Sequence, residues 1–230
     1  MNLVAFNVQF GKRVDRVIDW ANRLPSTDVL CFQEFPKDKI RECLRLLSRR
    51  QYGFRFAPSL VRRKQLFGVL TLYRKDRMKL VSTSILTLGM TKFERSILRH
   101  RTSRSCLITR FCYAGRTVII VNVHFVAFAL NTYKYLQIEK TARGLAKKNI
   151  PVIMLGDFNI SSVMGKSKLL TIMKTYGFET EQKRLATHRI IGLRHQFDYV
   201  FARWCRLSSI RSGIIRLSDH FPIFAQCQLS

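Results

Sequence analysis

The sequence is short of acidic residues. Its 230 residues include 14 Asp and Glu against 41 Lys and Arg, which gives a formal net charge of +27. This charge exceeds the ~2–8 units that keep a small domain soluble. It therefore indicates a polyanionic partner, and nucleic acid is the commonest one. A basic surface that serves only solubility is the simpler alternative.

Turn residues and long apolar runs are also scarce. There are 11 Gly and 5 Pro, while 47% of the residues are hydrophobic, which argues against disorder and collagen-like repeats. The longest strongly apolar run, Val118 to Leu130, is shorter than the roughly 20 residues that span a bilayer and contains Asn122 and His124. The chain opens without a basic leader and apolar core. We therefore expect an intracellular protein, cytoplasmic or associated with DNA, with no signal peptide and no transmembrane segment.

The six cysteines form no CxxC pair and show no zinc-ligand spacing. Without export, we expect them to be free thiols in a reducing compartment. No repeat, low-complexity tract or linker divides the sequence, so residues 1–230 are interpreted as one domain.

Hydrophobic periodicity predicts helices alternating with strands. Helices are predicted at Val14–Leu24, from Ile40 to Leu47, at Asn131–Lys148 with Asn131 as the N-cap, and at Ser167–Tyr176. Strands are predicted at Leu3–Asn7, Val29–Gln33, Gly68–Arg74, Leu80–Leu86, Ser105–Cys112, Thr117–His124, Val152–Leu155, Phe197–Phe201, Ile214–Leu217 and Phe224–Leu229. Because helix–strand alternation is mixed with consecutive strands, the pattern favours an α/β fold with mixed sheets.

Several of the few acids lie within or directly after apolar strands. These are Glu34, Asp157, Asp198 and Asp219. Alone, each is weak evidence, because a strand-end Asp is more often a turn residue and a strand-end histidine such as His124 is more often structural. Burying an unpaired carboxylate costs several kcal/mol, so four such positions indicate a shared counter-ion, either arginine or a divalent cation. Polar residues at many strand ends converge on one edge of an α/β sheet.

Six short motifs carry these residues through nearly the whole chain. In order they are Phe6-Asn7, Phe32-Gln33-Glu34, Asn122-Val123-His124, Gly156-Asp157-Phe158-Asn159, Phe197-Asp198-Tyr199 and Ser218-Asp219-His220. In order and spacing the set resembles the endonuclease/exonuclease/phosphatase superfamily, the deoxyribonuclease I and exonuclease III type. The resemblance implies a four-layer α/β sandwich, two packed mixed β-sheets flanked by helices, and hydrolysis of phosphoester bonds with a divalent metal.

The resemblance also implies a metal site and a residue that acts on water. Glu34 would be the principal ligand of Mg2+, for which Mn2+ is an alternative, with Asn7 beside it and Asp219 at the metal edge. Asp157 would orient or deprotonate the attacking water. These roles suit a hard cation that prefers oxygen ligands and takes only one or two carboxylates.

Phosphate contacts follow from the same resemblance. Asn159 would bind the scissile phosphate, and His220, held by Asp198, would hydrogen-bond the phosphoryl oxygen. His124 fits the second phosphate-contacting position. Two departures stand out. The stretch Phe67 to Leu70 lacks the glutamate that deoxyribonuclease I places before its histidine, and His195 occupies the position where abasic-site endonucleases tend to have Trp.

Basic residues concentrate in three predicted loops near the site. The loops contain Arg62-Arg63-Lys64, then Arg95, Arg99, His100, Arg101 and Arg104, and finally Lys183, Arg184, His188, Arg189, Arg194 and His195. Although one charge run is usually just a solvated surface, three favour contacts with a phosphate backbone. For this role we select Arg95, Arg99, Arg101, Arg104, Arg189 and Arg194.

The sequence therefore predicts a Mg2+-dependent nuclease or phosphodiesterase acting on nucleic acid, with double-stranded DNA as the favoured substrate. Removal of adducts from DNA ends is a close variant. A phosphatase or phosphodiesterase of lipid headgroups is one alternative, and a non-catalytic nucleic-acid-binding module is the other. Cleavage mode, the preference between DNA and RNA and oligomeric state stay open.

Overall fold

The computed structural model describes residues 1–25, 27–47, 51–96, 103–127, 129–181, 185–190 and 193–229. The helices are α1 Val14–Arg23, α2 Ile40–Leu46, α3 Lys92–Ser96, α4 Asn131–Ala146 and α5 Val163–Thr175. The strands are β1 Asn2–Asn7, β2 Val29–Pro36, β3 Tyr52–Arg62, β4 Gln65–Arg74, β5 Met78–Gly89, β6 Arg104–Tyr113, β7 Arg116–His124, β8 Val152–Asp157, β9 His188–Ile190, β10 Leu193–His195, β11 Asp198–Arg203, β12 Cys205–Ser212 and β13 Ile223–Leu229.

Two mixed sheets pack face to face and helices cover their outer faces. The first sheet has the strand order β12-β13-β1-β2-β4-β3, and the second has the order β11-β8-β7-β6-β5. Along β7, Val118 and Ile120 face the first sheet, while Ile119 and Val121 face α4 and α5, as the alternation of side chains in a strand requires. A third apolar cluster joins the first sheet to α1 and α2. The four-layer sandwich is therefore confirmed.

Two βαβ units bring the polar strand ends to one edge. β1 and β2 are parallel and connected through α1, and β7 and β8 are parallel and connected through α4. Parallel strands of one unit end at the same edge, so Asn7 and Glu34 come from the first sheet while His124 and Asp157 come from the second. β11 runs antiparallel to β8, and Asp198 is the cross-strand partner of Asp157.

Buried amides tie the two sheets together just below this edge. Gln33 Nε2 in the first sheet donates to Asn122 Oδ1 in the second at 2.7 Å. Asn122 Nδ2 in turn lies 3.2 Å from the backbone oxygen of Phe32 and 3.0 Å from that of Leu70. Both amides are fully buried, so these contacts satisfy their NH2 groups and Asn122 Oδ1, whereas Gln33 Oε1 has no hydrogen-bond partner among the described residues.

Some boundaries differ from the sequence prediction. The prediction that Asn131 is the N-cap of α4 is wrong. Leu130 occupies that position without a side-chain cap, and Asn131 is the first helical residue. α5 begins at Val163 rather than Ser167, because the Ser162 side chain caps the helix by accepting a hydrogen bond from Gly165 N. The first turn was missed because its exposed side chains show no apolar periodicity.

The predicted strand at Ile214–Leu217 is also wrong. β12 stops pairing with β13 at Ser212, and the following chain forms the loop that leads to Ser218. Ile215 and Leu217 pack against the cluster beside α1 without pairing as a strand. Strands β3, β9, β10 and β12 were not predicted. The segment of β9 and β10 was interpreted as a basic loop, and β12 has a mostly polar sequence with several exposed side chains.

All six cysteines are free thiols, as predicted. Across the described ranges, no helix is both long and apolar enough to cross a lipid bilayer.

Candidate active site

Asp157 lies at the centre of the polar cluster, at the end of β8, and is 1% exposed. Its Oδ2 accepts a hydrogen bond from Asn7 Nδ2 at 3.0 Å, and its Oδ1 accepts one from Asn159 N at 2.9 Å. Burial raises the pKa of this carboxyl; the nearby His220 charge opposes the rise and Asp198 adds to it. Asp157 is therefore held in one orientation and is a stronger base than an exposed aspartate.

Gly156 allows the backbone to place Asp157 there. Its φ is +136°, and a Cβ at this position would lie 2.3 Å from the backbone oxygen of Val123. Only glycine tolerates both that dihedral angle and the close approach of β7.

His220 lies between two buried carboxylates. Its Nδ1 donates to Asp198 Oδ2 at 2.8 Å, and its Nε2 is 3.7 Å from Asp157 Oδ2. Burial alone lowers the pKa of His220, but the charges of Asp198 and Asp157 and the hydrogen bond to Asp198 outweigh it and raise the pKa to about 10. At neutral pH the ring is thus a cation that can donate a hydrogen bond from Nε2.

Glu34 occupies a strained backbone position beside the cluster. Its φ is +55°, and its Oε2 accepts the backbone N–H of Phe10 at 2.9 Å. Gln9 and Phe10 also have positive φ values, +48° and +54°. Such conformations cost about 1–3 kcal/mol each for residues with side chains and concentrate at functional sites. Burial raises the pKa of Glu34 to about 7, with Arg104 and His220 opposing and Asp157 adding to the rise.

Asp219 is fixed from two sides. Its Oδ2 accepts Gln9 Nε2 at 2.7 Å, and its Oδ1 is 3.1 Å from the Ser218 hydroxyl. That hydroxyl also donates to the backbone oxygen of Asn7 at 2.8 Å. Burial favours the neutral acid, but His188 and His220 outweigh it and hold the pKa of Asp219 below its usual value.

His124 contacts an arginine rather than the glutamate that deoxyribonuclease I has. Arg104 Nη1 lies 3.3 Å from Nδ1 and 3.2 Å from Nε2 of His124. Arg104 itself is 2% exposed and forms a salt bridge with the fully buried Glu94 at 3.0 Å. His124 Nε2 faces Glu34 Oε1 at 3.6 Å and Asp157 Oδ2 at 3.8 Å. The buried pair thus delivers one cationic side chain to the site.

Asn159 closes the cluster in a left-handed conformation with φ +54°. The Asn159 Nδ2 donates to the backbone oxygen of Phe125 at 3.0 Å, and Lys134 Nζ donates to the backbone oxygen of Asn159 at 2.8 Å. These contacts fix the amide at the rim of the site.

A cavity of about 480 Å³ connects these groups. It is lined by Asn7, Gln9, Phe10, Lys12, Glu34, Arg62, Arg104, His124, Ala127, Asp157, Asn159, Asp219 and His220. The oxygens of Glu34, Asp219 and Asn7 are ligands that a hard divalent cation prefers. A cation there would offset the burial of Glu34, so this donor set fits Mg2+ or Mn2+.

The predicted phosphate-binding arginines lie at different distances from the cavity. Arg104 lines it. Arg189 is exposed, and its backbone N–H donates to the backbone oxygen of Asp219 at 2.9 Å. Arg194 pairs with Arg189 across β9 and β10, while Arg95 is exposed on α3. Arg99 and Arg101 lie outside the described residues.

Four residues that contact the cluster were not predicted to do so. They are Gln9, Phe10, Glu94 and His188. From the sequence, His188 was assigned only to a basic run near the site, and Glu94 was assigned no role. Only the scarcity of acids could have drawn attention to Glu94, because a carboxylate in so basic a chain is expected to pair with a cation. The sequence does not indicate which cation.

Solved structures share this fold over the full chain. An endonuclease/exonuclease/phosphatase from Bacteroides vulgatus matches with a TM-score of 0.81 and 17% identity, covering 100% of this chain and 98% of that one. D. rerio TDP2 in complex with a single-stranded DNA product matches at 0.78 and 15%, covering 99% and 98%. A mannosyl-6-phosphatase from Bacteroides thetaiotaomicron matches at 0.72 and 13%, covering 100% of both chains.

Sequence comparison adds a curated relative and a family. A UPF0294 protein of Yersinia enterocolitica is 32% identical over 130 residues, which is 56% of this chain and 50% of the relative. The chain thus spans about half the length of the curated relatives it matches. The model of the Endonuclease/Exonuclease/phosphatase family, whose members are metal-dependent phosphoester hydrolases, matches residues 4–220. The chain belongs to that family.

Proposed function

We propose that the chain is a Mg2+-dependent phosphodiesterase that cleaves phosphodiester bonds in DNA by in-line attack of water. The observation that carries this proposal is the grouping of Asp157, His220 and Glu34 in one cavity with the guanidinium groups of Arg62 and Arg104. A base, an acid and a cation site thereby surround a space bordered by positive charge, as a phosphodiester requires.

Each side chain has a role that its contacts support. Asp157, oriented by Asn7 and Asn159, accepts the proton of the attacking water. His220, kept protonated by Asp198, donates from Nε2 to a phosphoryl oxygen. Mg2+ or Mn2+, when bound, neutralises charge on the phosphate, and Glu34 would hold it together with Asp219 and Asn7.

Phosphate binding involves the remaining members of the cluster. Arg104 and His124 approach the cavity from β6 and β7, and Asn159 also lines it. An arginine anchored by a buried carboxylate presents its remaining N–H groups without losing further side-chain freedom. The three residues can therefore hold the non-reacting oxygens of the substrate.

DNA is the proposed substrate because of charge. The +27 net charge and the cations of Lys12, Arg62 and Arg104 at the cavity suit a polymer with one phosphate per nucleotide. Arg189 and Arg194 extend this positive charge along β9 and β10. Duplex DNA presents many such phosphates in register.

Lipid headgroups are the second candidate, because apolar side chains are exposed at the starts of two helices that follow the site-bearing strands. Leu130, Val163 and Met164 are 82–83% exposed; Leu130 precedes α4 after β7, and the other two begin α5 after β8. Exposed apolar groups near a phosphoester site suit an enzyme that works at a lipid surface.

A substrate panel tests these proposals with purified protein and Mg2+. We expect cleavage of at least one of intact, abasic, 3′-blocked or 5′-tyrosyl DNA, in preference to sphingomyelin vesicles. Asp157→Asn should reduce the rate at least about 10²-fold, because it removes the base. Asp19→Asn, which changes an exposed acid on α1, should leave the rate unchanged.

Three outcomes contradict the proposal in different ways. Hydrolysis of vesicles in preference to DNA assigns the site to lipid headgroups. Salt-dependent DNA binding without turnover in any divalent metal assigns a binding module. Equal rates for wild type and Asp157→Asn rule out the proposed role of the carboxylate.

A further inference from the structure

His188 lies against the catalytic histidine and completes a second group of metal-binding atoms. A nitrogen of His188, a carboxylate oxygen of Asp219 and a nitrogen of His220 all lie within 4.8 Å of one another. His188 Nε2 is 3.8 Å from Asp219 Oδ2. The proposed roles of Glu34, Asp157 and Asp198 make no use of His188.

Backbone contacts place this histidine firmly. Residue 188 forms a β-bridge with residue 220, and on either side Phe221 N donates to Thr187 O at 2.7 Å and Arg189 N to Asp219 O at 2.9 Å. The ring meets that of His220 edge-on at 4.3 Å and that of Phe197 at 4.8 Å. The side chain is only 13% exposed, so its position is set before any ligand arrives.

The ring of His188 is not engaged by another hydrogen-bonding group at Nδ1. Among the residues that the structure describes, this buried nitrogen has no hydrogen-bond partner. Nε2 faces the Asp219 carboxylate. The ring is therefore not committed to a structural hydrogen bond that metal binding at Nε2 would have to break.

The donor set shares Asp219 with the oxygen site at Glu34 but differs from it in chemistry. Two imidazole nitrogens and one carboxylate oxygen suit Zn2+ and similar transition metals, whereas Mg2+ prefers oxygens. Ligands at about 2.0–2.2 Å from Zn2+ lie roughly 3–3.5 Å apart in a tetrahedral site. The present separations need only side-chain adjustments of about an ångström to reach that geometry.

We propose that His188, Asp219 and His220 form a binding site for a transition-metal ion such as Zn2+, and that its occupancy inhibits the enzyme. The ion replaces the proton on Nε2 of His220, which is released to solvent, and thereby takes the atom that donates to the phosphate in the proposed mechanism. Binding itself does not depend on that mechanism; only the inhibition rests on the proposed function.

His195 provides a matched control. It is the cross-strand partner of His188 in the β9–β10 hairpin and also lies near Phe197, at 6.2 Å, but it is outside the group of three. His188→Phe keeps a ring against His220 and removes the metal-binding nitrogen. His195→Phe makes the same chemical change on the neighbouring strand.

Calorimetric titration of Zn2+ into protein saturated with Mg2+ tests the site. We expect His188→Phe to weaken the tightest Zn2+ binding at least tenfold relative to wild type, and His195→Phe to leave it unchanged. The cysteines are common to all three proteins and cancel in the comparison. If His188→Phe does not fold, as judged by circular dichroism, His188→Asn replaces it with the same expectation.

Activity supplies an independent readout. In a Mg2+-dependent phosphodiesterase assay, Zn2+ should inhibit wild type and His195→Phe at equal concentrations, and His188→Phe should need at least tenfold more. Wild type that binds no Zn2+, or a His188 variant that binds it as tightly as wild type, overturns the site. Zn2+ binding that depends on His188 in a protein with no hydrolytic activity keeps the site and overturns the proposed function instead.

Discussion

The imidazole of His220 has a buried carboxylate on either side, so its protonation state depends on their charges. With a pKa of about 10 in the folded protein against about 6.5 in an unfolded chain, its protonation stabilises the native state fully below pH 6.5. That contribution is lost as the pH rises through about 10. His220 is therefore a hydrogen-bond donor throughout the physiological range.

At the residue scale, removing the charge of Asp198 should lower the pKa of His220. In Asp198→Asn the imidazolium loses its 2.8 Å partner, and burial then favours the neutral ring, so the pKa of His220 should fall by more than about one unit. NMR titration of the imidazole nitrogens measures this directly. A His220 that still titrates near pH 10 in the variant would show that Asp198 does not control its charge.

At the scale of elements, α3 is held to the second sheet by a buried ion pair. Glu94 accepts hydrogen bonds from Arg104 on β6 and from Thr91 at the start of its own helix. Glu94→Gln removes the carboxylate that forms the salt bridge with the buried Arg104 charge, and we expect a loss of about 3–5 kcal/mol in the free energy of unfolding. Urea denaturation measures it.

An exposed ion pair provides the control for Glu94. Lys39 bridges Asp15 and Glu42 with side-chain exposures of 35%, 67% and 35%. Lys39→Met should therefore leave the urea midpoint close to that of wild type, because an exposed ion pair contributes little to stability. If Glu94→Gln and Lys39→Met lose similar amounts of stability, burial does not explain the contribution of the Glu94–Arg104 pair.

Strand β8 depends on its glycine, whereas helix α4 does not. Gly156→Ala forces a Cβ against Val123 O at φ +136°, and we expect destabilisation by more than about 2 kcal/mol. Gly144→Ala, at an exposed helical position with no atom within 4 Å of the new Cβ, should stabilise by about 0.5–1 kcal/mol. Thermal unfolding of both variants distinguishes the sites, and equal effects would refute the close-approach argument.

At the scale of the whole molecule, the charge of +27 should dominate association with a polyanion. If the chain makes six to ten phosphate contacts, its affinity for DNA should fall about 10³–10⁵-fold between 50 and 200 mM salt. Titrating Asp157→Asn with labelled duplex at several salt concentrations measures the slope without cleavage. An affinity independent of salt would exclude the phosphate backbone as the main contact.

Much of the fold was predictable, because a short apolar run in the sequence indicates a buried strand. β1, β2, β7 and β8 were all found from such runs, and so were the polar residues at or near their ends. In other segments the apolar residues did not indicate the correct element. The apolar residues Ile215 and Leu217 pack without pairing, and α5 begins with exposed Val163 and Met164, so local hydrophobicity misplaced both elements.

The sequence by itself determined the strand-end groups Asn7, Glu34, His124 and Asp157, since an apolar run followed by a polar residue is a local pattern. Only the tertiary structure decided what surrounds them. Arg104 meets His124, and Gln9 meets Asp219 across 210 residues of chain. The first contact arises from the pairing of β6 with β7 and the second lies beside the pairing of β1 with β13, and no periodicity along the chain encodes which side chains then face each other.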